Sequence, residues 1–259
     1  MSAALPPTLA ISIATAGGIL LSALFVLWEF GHHATPQVRV SRFDERRGIF
    51  SYTLGLFVGI LATVPFELYL FWAGAGNVLS AFVFLAVVVG ITEGAQAAIR
   101  RTHYWGTGPS FPFYAAGLRC GIAGLLAVAV LSSPLAANPP SPVAIVLSIL
   151  AAVALLLLMV TSALLSLPPD PAGGRRGGGP VSGALLLFAG LFLVAFPYFA
   201  GPATGAVALL LAIGGSGYLY ARLRSTFDRV LPPRPPGSAA RPAPGRFARQ
   251  EPRAAGPPR

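Results

Sequence analysis

The sequence predicts an all-α fold: a polytopic membrane helical bundle of seven transmembrane helices, with the N-terminus outside and the C-terminus in the cytoplasm. The first observation is composition, since 55% of the 259 residues are hydrophobic and only 10% are charged. A soluble domain carries roughly a quarter charged residues. The second observation is the length of the uncharged runs. The third is the placement of the 18 basic residues, all of which are arginine. The lack of lysine excludes chemistry that needs a lysine amine, such as a retinal Schiff base.

The spans follow from the uncharged runs, because one membrane crossing takes about 20 apolar residues. Three runs are too long for one helix, and segments rich in Gly or Pro interrupt them near residues 73–77, 132–142 and 199–205. Such segments end helices, so each run is predicted to be a helical hairpin. With the first apolar run, residues 1–221 form a transmembrane domain with spans near 8–28, 48–73, 77–99, 111–133, 142–167, 181–199 and 204–221.

The arginines test these boundaries and give the orientation. The loops after spans one, three, five and seven hold four, two, two and nine arginines, which is 17 of the 18 in the chain. The opposite loops hold none. Since basic loops stay in the cytoplasm, the pattern predicts a multi-pass protein of the cytoplasmic (plasma) membrane.

Residues 222–259 are predicted to form a disordered cytoplasmic tail rich in Arg and Pro. They hold few large apolar side chains and cannot build a core. The plain interpretation is a topology signal. The alternative is attraction to anionic lipid headgroups. We expect no nucleic-acid binding, because the tail lacks interleaved aromatic residues and a folded reader. A protein partner or an oligomer is left open.

The first cytoplasmic loop begins with a weak metal-site candidate. Glu29, His32 and His33 have the i, i+3, i+4 spacing that can hold a metal on a helix. However, Gly31 and Pro36 indicate that the helix ends here, and no Cys or further carboxylate is near in sequence. We therefore expect interfacial polar residues, with no metal and no other cofactor.

Two charged residues within the spans are predicted to meet. Glu93 in span three and Arg119 in span four each lie about seven residues, or roughly 10 Å, from the cytoplasmic interface. Because a charge within hydrocarbon is costly, we predict an ion pair in an intramembrane polar pocket open toward the cytoplasm. The pocket is expected to include Gln96, Arg100 and Tyr114. The alternative is a buried pair that sets helix register without chemistry.

Glu67 is predicted to be an outer-leaflet acid. It lies six residues before Ala73, about 9 Å from the outer interface, and no basic residue occurs at that level. We expect Glu67 to be protonated, or hydrogen-bonded to hydroxyl groups or water. Pro65 can kink the helix and free a backbone carbonyl nearby. This combination suits a proton or cation site, and a structural acid is the alternative.

Small residues spaced four apart predict close helix contacts. Gly55 and Gly59 have this spacing in span two, and Gly117 and Gly121 have it in span four. Such pairs permit close approach of two helix backbones and indicate packing rather than a ligand.

The stretch from 90 to 129 resembles the core of PrsW-type intramembrane proteases, which belong with the CAAX-processing glutamate proteases. The corresponding residues are Thr92-Glu93-Gly94-Ala95-Gln96, then Arg100-Arg101, then the Gly-rich helix around Arg119. The resemblance implies a helical bundle in which Glu93 would activate water as a general base. Gly94 stands where the family has its second glutamate, and no intramembrane His or later Glu-Asn follows. The resemblance therefore implies a bundle that has lost proteolysis.

Three classes of function remain open. The leading one is a non-catalytic membrane protein with a structural, interaction or regulatory role. The second is a transporter or ion-coupled carrier that uses Glu67 and the Glu93/Arg119 pocket. The third is an intramembrane hydrolase with Glu93 as its only catalytic candidate. A water-filled cavity that reaches both acids would favour transport, and an imidazole beside Glu93 would favour hydrolysis.

Overall fold

The computed structural model describes residues 6–33, 45–102, 111–136, 141–166 and 179–230, and all their regular structure is helical. Seven of the helices in this part of the chain are long and apolar enough to cross a membrane, and α7 is a single turn. In chain order they are α1 (Pro7–His33), α2 (Glu45–Gly74), α3 (Val78–Arg101), α4 (Phe111–Ala136), α5 (Pro142–Leu165), α6 (Gly179–Val194), α7 (Phe196–Phe199) and α8 (Pro202–Val230).

The predicted number of seven helices long and apolar enough to span a membrane is confirmed, and the helix ends differ from the predicted span ends. Helix α1 continues five residues beyond the predicted end of span one, through Gly31 to His33. Helix α8 continues from the predicted end at 221 to Val230, because Arg222–Val230 contains no Gly or Pro, and Pro232 follows. Residues 231–259 of the predicted tail lie outside the described part of the chain. The orientation of the termini remains a prediction.

The sixth span is split into α6 and α7. Helix α6 ends at Val194, and the one-turn α7 has Pro197 near its start. Proline has no backbone N–H to continue the hydrogen-bond ladder, so the chain turns here before α8 begins. The Cα and ring of Pro197 pack against Gly205, where a Cβ would lie 2.6 Å from the Pro197 Cα.

Two ends of the bundle can be distinguished by the α2–α3 pair. The hairpin end is where Gly76, with φ of +75°, and Asn77 turn the chain from α2 into α3. The Asn77 side chain accepts a hydrogen bond from the Ser80 N–H and so caps α3. The arginine end is the opposite one, where α2 begins next to Arg46 and Arg47 and α3 ends with Arg100 and Arg101.

Helix α4 is the centre of the bundle and contacts α1, α2, α3 and α5. Every residue from 111 to 124 is buried. Glycines make this possible: a Cβ on Gly55 of α2 would overlap the Leu118 carbonyl oxygen, and a Cβ on Gly121 would overlap that of Tyr52. The predicted close approach of these two spans is therefore confirmed at Gly55 and Gly121.

Single hydrogen bonds tie other helices together. The Tyr69 hydroxyl of α2 donates to the Leu191 carbonyl of α6 at 2.9 Å. The Thr161 hydroxyl of α5 donates to the Ser216 carbonyl of α8 at 3.1 Å. Bonds of this kind avoid unpaired polar groups in hydrocarbon and contribute about 0.6–2 kcal/mol each.

The outer surface of the bundle is apolar. Large hydrophobic side chains are exposed on α1, α2, α3, α5, α6 and α8, including Leu79 at 78% and Val181 at 70%. The largest fully buried side chains include the polar Arg119, Tyr69 and Tyr114 beside apolar ones such as Phe66 and Leu85. This distribution suits a bundle surrounded by lipid, in which polar groups must find partners inside.

Candidate functional site

Five polar side chains from three helices meet near the arginine end, and we refer to them as the polar network. They are Glu93 and Gln96 of α3, Arg119 of α4, and Ser162 and Ser166 at the end of α5. Arg119, Gln96, Ser162 and Ser166 are buried, and the Glu93 side chain is 20% exposed.

Arg119 is fully buried and engages a different partner with each guanidinium nitrogen. The Nε donates to Gln96 Oε1 at 2.8 Å, and Nη1 donates to Ser162 Oγ at 3.4 Å. The Nη2 lies 2.7 Å from Glu93 Oε1, so the predicted ion pair is present. This last contact has the distance of an ion pair without the angle of a hydrogen bond, and Nη2 has no hydrogen-bond partner among the described residues.

The partners of Arg119 are themselves held by α5. The Ser166 hydroxyl lies 3.3 Å from both carboxylate oxygens of Glu93 and donates to them. The Gln96 amide donates to the Ala163 carbonyl at 3.2 Å, and the Ser162 hydroxyl donates to the Met159 carbonyl at 2.9 Å. The network therefore ties α3 and α4 to the last turn of α5.

Local helix geometry places these groups. Glu93 and Gln96 are three apart on α3, and Ser162 and Ser166 are four apart on α5, so each pair shares one helix face. Ser166 also contacts the start of α6, because a Cβ on Gly183 would overlap the Ser166 hydroxyl. The glycine lets α6 close over the side chain that binds Glu93.

The network balances its charges within the membrane domain. The guanidinium of Arg119 cannot lose its proton in a protein. Its burial therefore requires a negative charge nearby and hydrogen-bond acceptors for its N–H groups. Glu93 supplies the charge, and Gln96 and Ser162 supply neutral acceptors. Such an arrangement can fix three helices in one register, and the partly exposed Glu93 is its one side chain open to solvent or lipid.

Two other residues predicted for this pocket, Arg100 and Tyr114, differ in their exposure. Arg100 lies at the end of α3 with its side chain exposed, two turns beyond Glu93. Tyr114 is buried on α4, five residues before Arg119, and its membership of the pocket stays a prediction. The contacts that are seen around Glu93 and Arg119 depend on which face of α5 packs against α3 and α4, and that face was not predicted.

Glu67, the predicted outer-leaflet acid, lies outside the polar network. Its side chain is exposed on the outer surface of α2, seven residues before Gly74 at the hairpin end. It makes no hydrogen bond and no ion pair with the residues that the structure describes. Pro65 is buried inside α2, and the helix continues through it. The structure therefore does not bring Glu67 near the polar network.

Glu29 has a partner that sequence reasoning did not identify. It is 7% exposed and accepts a hydrogen bond from the Tyr220 hydroxyl of α8 at 2.5 Å. Because α1 continues to His33, Glu29 lies inside the helix rather than at its predicted interfacial end. The side chains of His32 and His33 lie outside the described part of the structure. Among the side chains that are described, no group of three or more His, Cys, Asp or Glu could hold a metal.

Two apolar cavities open between the helices near the hairpin end. One of about 320 Å³ lies between α1, α4 and α5 and is lined by residues such as Ile13, Leu131 and Ile145. The other, of about 280 Å³, lies where α4 and α5 meet Tyr198. Neither is lined by Glu67, Glu93 or Arg119. These two spaces therefore connect no charged group to the outside.

The serines of the network left a weak signal in the sequence. Thr161, Ser162 and Ser166 are polar positions near the end of a span that is otherwise almost wholly apolar.

Comparison of the chain with family models, with curated proteins and with solved structures finds no match. The function is therefore argued from the residues of the site.

Proposed function

We propose that the protein is a non-catalytic, multi-pass membrane protein with a structural, interaction or regulatory role, in which the polar network fixes the register of α3, α4 and α5. The observation that carries this proposal is Arg119, a fully buried guanidinium with a separate partner for each of its three nitrogens. The proposal keeps the predicted orientation in the cytoplasmic membrane, which is supported by the arginines at one end of the bundle.

A register role follows from the length scale of the contacts. A slip of one helical turn moves a side chain by about 5.4 Å along the helix axis. A slip of that size along α3 would separate Glu93 and Gln96 from Arg119, whose contacts are 2.7 and 2.8 Å. The unpaired guanidinium would then remain in a medium of low dielectric, which costs several kcal/mol. Alternative packings are disfavoured by that amount.

The engagement of Glu93 supports this role over hydrolysis. A general base must reach the water whose proton it takes, with a lone pair free to accept it. Both oxygens of Glu93 accept from Ser166, and one of them also faces Arg119. These contacts place Glu93 as the counter-ion of Arg119, and this is the role we propose for it in preference to proton abstraction from water.

The positions of the two acids support the same role over ion-coupled transport. A carrier that used Glu67 and Glu93 would need a path between them. Glu67 faces outward from α2 near the hairpin end, whereas Glu93 faces α4 and α5 near the arginine end. The two cavities described above are apolar and reach neither group.

A flux assay tests the proposal. The full chain is reconstituted in vesicles that contain a proton-sensitive or sodium-sensitive dye, beside lipid-only vesicles and vesicles with the Glu93→Gln variant. The proposal expects equal ion flux in all three. A wild-type flux above the lipid-only value that Glu93→Gln abolishes would overturn it, because the carboxylate would then work in transport.

A further inference from the structure

A stripe on the outer surface of α2 combines large apolar side chains with one carboxyl group. We call it the Glu67 face, and it consists of Leu61, Val64, Glu67, Leu68 and Phe71. The apolar members are exposed by 66%, 62%, 38% and 65%, in chain order. Val64 and Phe71 flank Glu67 by about one turn on either side, so the carboxyl group lies within the apolar stripe rather than beyond it.

Glu67 has no partner among the described residues, and none of the basic side chains that the structure describes lies near it. Arg119 is fully buried and engaged by the polar network. The other described basic side chains lie near the arginine end, away from Glu67: Arg46, Arg47, Arg100, Arg101 and Arg222. None of these described basic residues is therefore available to form an ion pair with Glu67 in the same copy of the protein.

A carboxyl group that faces hydrocarbon is costly unless it forms hydrogen bonds. A carboxyl group that carries its proton has one donor and one acceptor, so it is complementary to a second group of the same kind. Two carboxyl groups at short distance share a proton, because two carboxylates would repel each other. Because the described residues include no cation at the depth of Glu67, the group that best matches this carboxyl group in a second copy is another Glu67.

Membrane symmetry brings these two groups together. A two-fold axis along the membrane normal keeps every residue at its own depth, so a residue on the axis meets its own copy. The apolar side chains of the Glu67 face would then pack around the two acids. We propose that two copies of the chain associate through their Glu67 faces, with the Glu67 carboxyl groups hydrogen-bonded to each other.

This inference goes beyond the proposed function, because it rests on α2 alone and makes no use of the polar network. It also concerns a different face of α2 from the one that packs within the bundle. The glycine face of α2 is already occupied by α4, through Gly55 and Gly121, whereas the Glu67 face is uncovered. The second copy therefore needs no rearrangement of the bundle.

The test measures association of the full chain in vesicles. Copies with donor and acceptor fluorophores are mixed, and energy transfer is followed while the protein is diluted with lipid. Glu67→Gln keeps a donor and an acceptor and is expected to associate like wild type. Glu67→Leu is expected to associate about tenfold more weakly, the size of one or two interhelical hydrogen bonds. The matched control is Val83→Leu, which changes a lipid-facing side chain of α3 and should have no effect.

Cross-linking locates the contact. In a Cys120→Ala background, which removes the single native thiol, Glu67→Cys is expected to give disulfide-linked dimers and Val83→Cys is not. The proposal is overturned if the wild type stays monomeric at every lipid ratio, if Glu67→Leu associates as strongly as wild type, or if dimers cross-link at 83 and not at 67. A normal unfolding transition for Glu67→Leu shows that any loss of association is not a loss of folding.

Discussion

The two acids of the α2–α3 hairpin have opposite surroundings. Glu93 lies eight residues from the end of α3 and binds Arg119 and Ser166. Glu67 lies seven residues from the end of α2 and faces outward without a partner among the described residues. Each acid thus lies at a similar distance from its own end of the bundle, Glu93 from the arginine end and Glu67 from the hairpin end. The helix face also differs, because only Glu93 is turned toward the central helix and its arginine.

This difference teaches that the same residue type has two uses in one bundle. A carboxylate against α4 neutralises a buried charge and stabilises the monomer. The exposed carboxyl group of Glu67 bonds to no described residue of its own chain, and we propose an external contact for it. The same substitution should therefore lower the free energy of unfolding much more at Glu93 than at Glu67. The expected effects below decrease from the largest to the smallest.

Loss of the Glu93 carboxylate is expected to have the largest effect. Glu93→Met leaves the fully buried guanidinium of Arg119 without a counter-charge, and it should lower the free energy of unfolding by about 3–5 kcal/mol. Equilibrium unfolding in bicelles, followed by circular dichroism, measures it. The same substitution at Glu67 is the control. Equal losses at both positions would contradict the assignment of Glu93 to the network.

A methyl group on a packed glycine should cost somewhat less. Gly121→Ala places a Cβ against the Tyr52 carbonyl and forces α2 away from α4, which should cost about 1–3 kcal/mol. Gly90→Ala is the matched control on the lipid-facing side of α3, where a Cβ meets nothing within 4 Å. That variant should be as stable as wild type or slightly more stable. The midpoints of thermal unfolding of the two variants check this prediction. A lower midpoint for Gly90→Ala than for Gly121→Ala would be incompatible with the packing.

Arg119→Met should be milder than Glu93→Met. It leaves a carboxylate, and Glu93 is 20% exposed and can be solvated or take up a proton, whereas arginine cannot release one. We expect a loss of about 1–3 kcal/mol in the same bicelle measurement. A larger loss of stability in Arg119→Met than in Glu93→Met would show that the unpaired guanidinium is not the main destabilising factor.

Removal of the Ser166 hydroxyl should have a small effect. Ser166→Ala deletes the donor to both oxygens of Glu93 and should cost about 1 kcal/mol. Ser12→Ala on α1 is the control, because that exposed hydroxyl bonds only to the carbonyl of Thr8 in its own helix. Equal unfolding midpoints for the two variants would show that Ser166 does not support Glu93.

Glu67→Met should change the stability of the monomer least. The side chain is exposed and bonds to no described residue, so the free energy of unfolding at high lipid dilution should stay within about 0.5 kcal/mol of wild type. A destabilisation of several kcal/mol would indicate a partner for Glu67 inside the bundle.

The sequence predicted the parts of this architecture that depend on composition and depth. Long apolar runs with Gly and Pro between them define the seven spans, and equal depth on neighbouring helices predicted the meeting of Glu93 and Arg119. The serines of α5 were not predicted, because their role depends on which face of that helix turns toward α3. The bond from Tyr220 to Glu29 joins the last and the first long helix, 191 residues apart, and no local pattern links them.

The most direct test of the central claim is the coupling energy between Glu93 and Arg119. The free energies of unfolding of wild type, Glu93→Met, Arg119→Met and the double variant form a double-mutant cycle. If the pair serves to fix helix register, the double variant should be more stable than the sum of the single losses implies, by about 2 kcal/mol or more. Losses that add within about 0.5 kcal/mol would contradict the account, because the two residues would then act independently.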